Sequence, residues 1–164
     1  MPTNVDTPLR PSLERLRTST REQPTNDSMT ALLFDTSAAL AFIDAENPFH
    51  VQIWDMTVNR RRGLAGHAVF EFLSVCTRLP LPKRLSGPDS LRLMRSEFPE
   101  NRFLPDDVMD ALADEFTRIG IVGGMVYDGL VGACARHHGL ALATCDHRAE
   151  QTYQLLGCDY LLVE

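Results

Sequence analysis

Short apolar runs alternate with amphipathic segments along most of the chain, an order typical of a parallel α/β domain. Apolar runs at residues 31–34, 140–144 and 160–163 predict strands, and Leu64-Ala65 gives a weaker strand signal. Between these runs, apolar residues recur at helical spacing, most clearly at Val69, Phe72, Leu73 and Cys76. The pattern predicts one α/β domain in which a central parallel sheet is flanked by helices on both sides.

Start and stop signals bound the predicted helices. Polar or proline-containing starts occur at Asp35-Thr36-Ser37, Asn47-Pro48, Gly87-Pro88-Asp89 and Pro105-Asp106-Asp107. A glycine-rich break at residues 120–124 precedes another helix, which is predicted to end near His138-Gly139. A short helix is predicted at residues 148–155.

Residues 1–28 differ from the rest of the chain. They contain no aromatic residue, many Ser and Thr, and four prolines. Such a segment buries too little apolar surface to order itself, so we predict a disordered N-terminal extension before a domain at residues 29–164. A second interpretation is that translation begins at Met29.

Charge and composition narrow the function classes. A formal net charge of −6 argues against a protein that holds nucleic acid through charge alone, but an acidic site that binds a metal remains compatible with it. No apolar run of about 18 residues occurs, and no signal-peptide pattern opens the chain, so we expect a soluble cytoplasmic protein. The four cysteines have no metal-ligand spacing, and we predict reduced, buried thiols.

Four acidic residues lie where predicted strands end or predicted helices begin. Asp35 ends the first predicted strand, and Asp146 follows the strand at residues 140–144, so both should emerge at the carboxyl edge of the sheet. Glu71 and Asp128 lie near the starts of helices that follow chain crossings. The four carboxyl groups are therefore able to converge.

Converging carboxylates repel one another, by about 4 kcal/mol for two charges roughly 4 Å apart at an effective dielectric of about 20. A cation relieves this repulsion, and hard oxygen ligands favour Mg²⁺ or Mn²⁺. Such a site suits phosphodiester hydrolysis. Each acid also has an ordinary interpretation, as a helix cap, a solvated helix residue, a dipole partner or a turn residue. Spacing alone leaves both interpretations open.

Four stretches carry a family resemblance in the right order: LLFDTSAALAFID, GHAVFEFLSVCTRLP, GIVGGMVYDGLVGACARHHGLALATCD and DHRAEQTYQLLGC. The first three resemble the acid-bearing segments of PIN-domain ribonucleases, and the fourth resembles a tail seen in VapC-like toxins of toxin–antitoxin pairs. The resemblance spans residues 31–164 and implies a PIN-like fold.

The resemblance implies that Asp35, Glu71, Asp128 and Asp146 are catalytic acids that bind Mg²⁺ or Mn²⁺, and that an activated water hydrolyses RNA. It implies auxiliary roles for Thr36 or Ser37, whose hydroxyl would touch a metal-bound water, and for Thr144, which would orient Asp146. One departure concerns residues 148 and 149. Many relatives carry an acid and an aromatic residue there, whereas this chain has Arg148 and Ala149, which puts a second metal in doubt.

The resemblance also implies partners: an RNA substrate, a VapB-like antitoxin that covers the acidic cleft, and a second copy of the chain in a homodimer. The alternative function is a catalytically weak PIN-like module that binds RNA or a partner, which Arg148 favours. A haloacid dehalogenase-type phosphatase is disfavoured, because Ser37 stands where that class needs a second aspartate. The basic run at residues 60–62 offers a candidate RNA-backbone contact.

Overall fold

The computed structural model describes residues 30–164, so the predicted extension at residues 1–28 and the alternative start at Met29 lie outside the described residues. The strands are β1 (Leu32–Phe34), β2 (Arg62–Leu64), β3 (Leu142–Thr144) and β4 (Tyr160–Leu162). The helices are α1 (Thr36–Ile43), α2 (His50–Thr57), α3 (Ala68–Cys76), α4 (Gly87–Glu97), α5 (Asp106–Ile119), α6 (Met125–His137) and α7 (Glu150–Leu156).

The four strands form one parallel sheet in the order β2-β1-β3-β4. Phe34 of β1 pairs with Leu64 of β2 on one side and with Ala143 of β3 on the other. Because parallel crossovers are right-handed, a chain that steps first to one side of β1 and then to the other places its helices on both faces. The predicted fold class is confirmed.

The core lies on both sides of the two central strands. Every residue of β1 and β3 is buried, which explains why both read as continuous apolar runs and not as alternating ones. The Phe98 ring makes edge contacts with Phe34 and Phe72, at centroid distances of 5.3 and 5.7 Å. These aromatic contacts join the end of α4 to β1 and α3.

A backbone segment after α4 extends the sheet beyond β2. The Glu100 N–H donates to the Arg62 carbonyl at 3.0 Å, and the Arg102 N–H donates to the Leu64 carbonyl at 3.1 Å. Gly63 makes this approach possible, because a Cβ at that position would overlap the Glu100 carbonyl group. The sequence pattern did not predict this pairing.

Two helices begin slightly later than predicted, and in both cases a side chain holds the preceding turn. Asn47 Oδ1 accepts a hydrogen bond from the Phe49 N–H at 3.0 Å, so α2 starts at His50. The Arg148 N–H donates to Asp146 Oδ1 at 2.9 Å, and α7 starts at Glu150. Asparagine and aspartate side chains commonly form such turns.

The basic run at residues 60–62 is engaged by the protein at two of its positions. Arg61 forms an ion pair with Glu100. Arg62 lies over the Phe42 ring at 4.6 Å and donates to the carbonyls of Thr57 and Glu97. These contacts hold β2 against its surroundings, and the RNA-contact interpretation stays a prediction.

All four cysteines are free thiols, as predicted; Cys145 is half-buried and the other three are buried. Within residues 30–164, no helix combines the length and the apolarity that a membrane crossing requires.

Candidate active site

The centre of the sheet contains a topological switch point. From β1 the chain moves to β2 on one side, whereas from β3 it moves to β4 on the other side. Ligand sites of open α/β sheets lie in the crevice at the carboxyl ends of two such strands. Asp35 follows β1 directly, and Asp146 comes two residues after the end of β3.

A cavity of about 220 Å³ lies at this edge of the sheet. The four predicted acids all line it: Asp35, Glu71, Asp128 and Asp146. Its other lining residues are Thr36, Ser37, Leu40, Val75, Val131 and Tyr153. The structure therefore brings together acids from four different segments, up to 111 positions apart in sequence. Their role as metal ligands stays a prediction.

Asp35 is the most deeply buried of the four acids, with 5% of its surface exposed. It caps α1: its Oδ1 accepts hydrogen bonds from the Ala38 N–H at 2.8 Å and from the Ser37 hydroxyl at 2.6 Å. Its Oδ2 accepts one from the Tyr153 hydroxyl at 3.2 Å. Burial raises the pKa of Asp35, and these donors offset part of that rise. The cap interpretation is thus correct, and the same carboxyl group lines the cavity.

Glu71 is tied to the start of α1. It lies in the first turn of α3, and its Oε2 accepts a hydrogen bond from the Thr36 hydroxyl at 2.5 Å. One turn earlier, the His67 ring stacks on Tyr127 at a centroid distance of 5.2 Å. This stacking joins α3 to α6 beside the two acids that these helices carry.

Asp128 responds most strongly to the other acids. It lies half-buried in the first turn of α6. Its pKa is raised from the usual 3.8 to about 6, first by burial and then by the negative charges of Asp146, Asp35 and Glu71, in that order. The four carboxylates therefore share one electrostatic environment.

Replacing Asp128 by asparagine is expected to stabilise the metal-free protein at pH 7. Because the folded-state pKa of about 6 exceeds the usual 3.8, the stabilisation from protonated Asp128 is complete below about pH 4 and is lost as the pH rises through 6. A neutral amide at this position removes the loss, and we expect a gain of about 1 kcal/mol in the free energy of unfolding, since solvent on the open side screens the repulsion.

Urea unfolding in EDTA at pH 4 and at pH 7 measures this effect. Asp114→Asn, on the exposed side of α5, is the matched control and should change stability equally at the two pH values. A variant Asp128→Asn that is no more stable than the parent at pH 7 would contradict the assigned repulsion.

The loop after β3 is held against the start of α1. The Ser37 hydroxyl accepts a hydrogen bond from the Cys145 N–H at 2.8 Å while it donates to Asp35. The Thr144 hydroxyl accepts one from the Asp146 N–H at 3.1 Å. Ser37 thus holds the backbone next to the fourth acid, and Thr144 holds the backbone N–H of that acid. Their auxiliary roles stay predictions.

Arg148 contacts the fourth acid directly. Its Nε donates to Asp146 Oδ1 at 3.0 Å, and a terminal nitrogen donates to Oδ2 at 2.8 Å. This guanidinium lowers the pKa of Asp146.

Glu150 accepts a hydrogen bond from the Tyr160 hydroxyl and contacts His147, and it is not among the residues that line the cavity.

Tyr153 is the site residue that the sequence analysis missed. Its ring is completely buried on α7, and burial together with the charge of Asp35 raises the pKa of its hydroxyl, so it stays a protonated donor. Gly132 gives the ring its space, because a Cβ there would lie 2.8 Å from the Tyr153 Cδ1 atom. The usable signal was its helical spacing from Ala149 and Leu156 on the buried face of α7.

The donor set of the cavity fits a hard divalent cation. Its charged groups are carboxylates, its neutral polar groups are hydroxyls, and no sulfur or imidazole lines it. Within the described residues, no three His, Cys, Asp or Glu side chains are arranged as a ready-made metal cage. Each of three acids instead meets a protein neighbour: Asp35 meets Tyr153 and Ser37, Glu71 meets Thr36, and Asp146 meets Arg148.

Comparison with known proteins shows the family to which this chain belongs. The PIN domain family model matches residues 32–155. The chain therefore belongs to the PIN domain family, as predicted.

Relatives then define the group within that family. The chain is 36% identical over 126 residues to Ribonuclease VapC27 of Mycobacterium tuberculosis, an alignment that covers 77% of this chain and 92% of the relative. It is 35% identical over 108 residues to Ribonuclease VapC40 of the same species, covering 65% of this chain and 80% of that relative. This protein is a member of the VapC ribonucleases.

Solved structures agree in fold. VapBC2 from Rickettsia felis, bound to a promoter DNA fragment, matches with a TM-score of 0.60 at 12% identity, covering 82% of this chain and 100% of the other. DNA-bound VapBC from Salmonella typhimurium matches with a TM-score of 0.59 at 17% identity, covering 81% and 98%. At these identities the likeness supports the fold alone.

Proposed function

We propose that this protein is a metal-dependent endoribonuclease that acts as the toxin of a toxin–antitoxin pair. This proposal depends mainly on one observation: four acids from four segments line one cavity at the switch point of the sheet. In this proposal residues 29–164 form the catalytic domain, and residues 1–28 are an extension to it.

Asp35, Glu71, Asp128 and Asp146 are the residues that would hold the cation, which is Mg²⁺ or Mn²⁺. When bound, the cation supplies a water of lowered pKa and positive charge beside the attacked phosphate. Asp128 carries a proton at pH values below its pKa of about 6, and this proton must leave before the carboxylate can bind a cation. Binding of the cation should therefore weaken as the pH falls below 6.

The surrounding residues keep the acids in place. Tyr153 and Ser37 each donate a hydrogen bond to Asp35, which fixes both of its oxygens, and Thr36 does the same for one oxygen of Glu71. Thr144 and Ser37 hold the loop that carries Asp146. These hydrogen bonds restrict side-chain rotation, most of all for the buried Asp35, and such preorganisation supports charge stabilisation in the transition state.

The proposed substrate is RNA, and the proposed protein partner is a VapB-like antitoxin. Membership among the VapC ribonucleases supports both proposals, and VapC proteins of the same fold occur in VapBC complexes of Rickettsia felis and Salmonella typhimurium. An acidic cleft attracts a basic group of a partner for the same reason that it attracts a cation. We also propose a homodimer and a cytoplasmic location.

A second candidate function is a PIN-like module that binds RNA or a partner without cutting. The pairing of Arg148 with both oxygens of Asp146 favours it, because this contact occupies one of the four acids. Binding of Mn²⁺ separates the two candidates, since a module without a metal site should show no saturable binding.

Removal of divalent cations is expected to stop RNA cleavage. The purified full-length protein should cut total cellular RNA in Mg²⁺ or Mn²⁺, lose this activity in EDTA, and regain it when excess Mn²⁺ is added. Because the attacking group is water and not the 2′-hydroxyl, no 2′,3′-cyclic phosphate should form. The resemblance to PIN-domain ribonucleases implies that the 3′ oxygen is the leaving group, so the fragments should carry 5′-phosphate and 3′-hydroxyl ends, which end-specific ligation and sequencing measure. Undiminished cleavage in EDTA, or 2′,3′-cyclic phosphate ends, would contradict the proposed mechanism.

A further inference from the structure

The Arg148 guanidinium contacts one of the four cavity acids, Asp146, although Arg148 does not itself line the cavity. Its side chain is 90% exposed, whereas the side chain of Asp146, which it contacts, is 28% exposed. The contact is bidentate, with hydrogen bonds of 3.0 and 2.8 Å to the two carboxylate oxygens. Within residues 30–164, Arg148 is the arginine that donates hydrogen bonds to one of the four cavity acids.

The Asp146 carboxylate has little capacity left in this arrangement. A carboxylate offers about four lone-pair positions on its two oxygens. Oδ1 accepts from both the Arg148 N–H and the Arg148 Nε, and Oδ2 accepts from a terminal nitrogen of the same residue. An inner-sphere bond from Oδ1 to a cation therefore requires the guanidinium to move away. The positive charge of Arg148 also opposes the approach of a second positive charge.

We propose that Arg148 is a positioning residue that competes with the divalent cation for Asp146 and thereby sets the cation concentration at which the site fills. This inference rests on the proposed function, because it concerns the same four acids. Exposure makes the competition reversible: an exposed ion pair is weakly held, so the guanidinium can leave the carboxylate when a cation arrives. Arg148 thus lowers cation affinity without abolishing it.

Isothermal titration of Mn²⁺ into the full-length protein, without RNA, measures this competition. Arg148→Ala should tighten Mn²⁺ binding by roughly fivefold, the effect expected when an exposed competing ion pair is lost. Arg148→Lys keeps the charge but loses the bidentate fork, so its affinity should lie between those of the parent and the alanine variant.

Arg92→Ala is the matched control, because Arg92 is also exposed and pairs with an aspartate, Asp89, outside the cavity. It removes the same net charge and should leave Mn²⁺ affinity unchanged. Unchanged or weaker binding in Arg148→Ala overturns the inference while the proposed function stands. Equal tightening in Arg92→Ala also overturns it, because net charge would then be the cause. Absence of saturable Mn²⁺ binding in both the parent and Arg148→Ala overturns the proposed function together with this inference.

Discussion

Replacing Asp35 by asparagine is expected to lower metal-dependent RNA cleavage by about 100- to 1000-fold, the loss typical when one preorganised electrostatic group is removed from an active site. Asparagine removes the charge of the most buried acid in the cavity but keeps an oxygen that caps α1. The fold should therefore persist, so that the loss of cleavage reports on chemistry and not on folding.

Cleavage rates in saturating Mn²⁺ and urea unfolding curves, measured on the same preparations, test this expectation. Asp44→Asn is the matched control, because Asp44 ends the same helix and pairs with Lys83 on the surface. It should cleave RNA at the parent rate. Full activity of a well-folded Asp35→Asn variant would remove Asp35 from the proposed machinery.

Replacing Gly63 by alanine is expected to destabilise the protein by about 3 kcal/mol, at the upper end of the usual cost of overpacking. A methyl group at residue 63 would overlap the Glu100 carbonyl carbon and oxygen, which are backbone atoms and cannot rotate away. The segment at residues 100–102 must then separate from β2, with loss of its hydrogen bonds to Arg62 and Leu64.

Denaturant unfolding of Gly63→Ala, compared with Gly87→Ala, measures this cost. Gly87 has open space around the position of a Cβ and lies in the first turn of α4, so its replacement should change stability by less than about 0.5 kcal/mol. Similar stabilities for the two variants would show that the edge segment adjusts freely, contrary to the close packing described above.

Much of the local structure was predictable because its signals lie within a few residues. Ser86 and Pro88 mark the start of α4, and Gly120 with a left-handed backbone ends α5. The apolar run at residues 140–144 predicted the strand β3, whose residues are all buried in the structure. The starts of α2 and α7 were predicted too early, because hydrogen bonds to the side chains of Asn47 and Asp146 favour a turn over a helical start.

Nonlocal contacts were harder to predict. The pairing of residues 100–102 with β2 has no sequence periodicity of its own, because it depends on Gly63, which is distant along the chain. Tyr153 was missed for the same reason: it reaches Asp35 across 118 positions, and helical spacing alone marks it as an ordinary buried residue.

The α/β class and the location of four acids at the ends of strands and the starts of helices could be read from the sequence, because backbone preference and hydrophobic periodicity act over short stretches. The family was indicated separately, by the resemblance of four stretches to PIN-domain ribonucleases. Three features required the folded chain: Thr36 donates a hydrogen bond to Glu71, Tyr153 donates one to Asp35, and burial together with three other acids raises the pKa of Asp128. Those contacts join segments that are distant along the chain, and burial and electrostatic coupling arise only when folding brings such segments together.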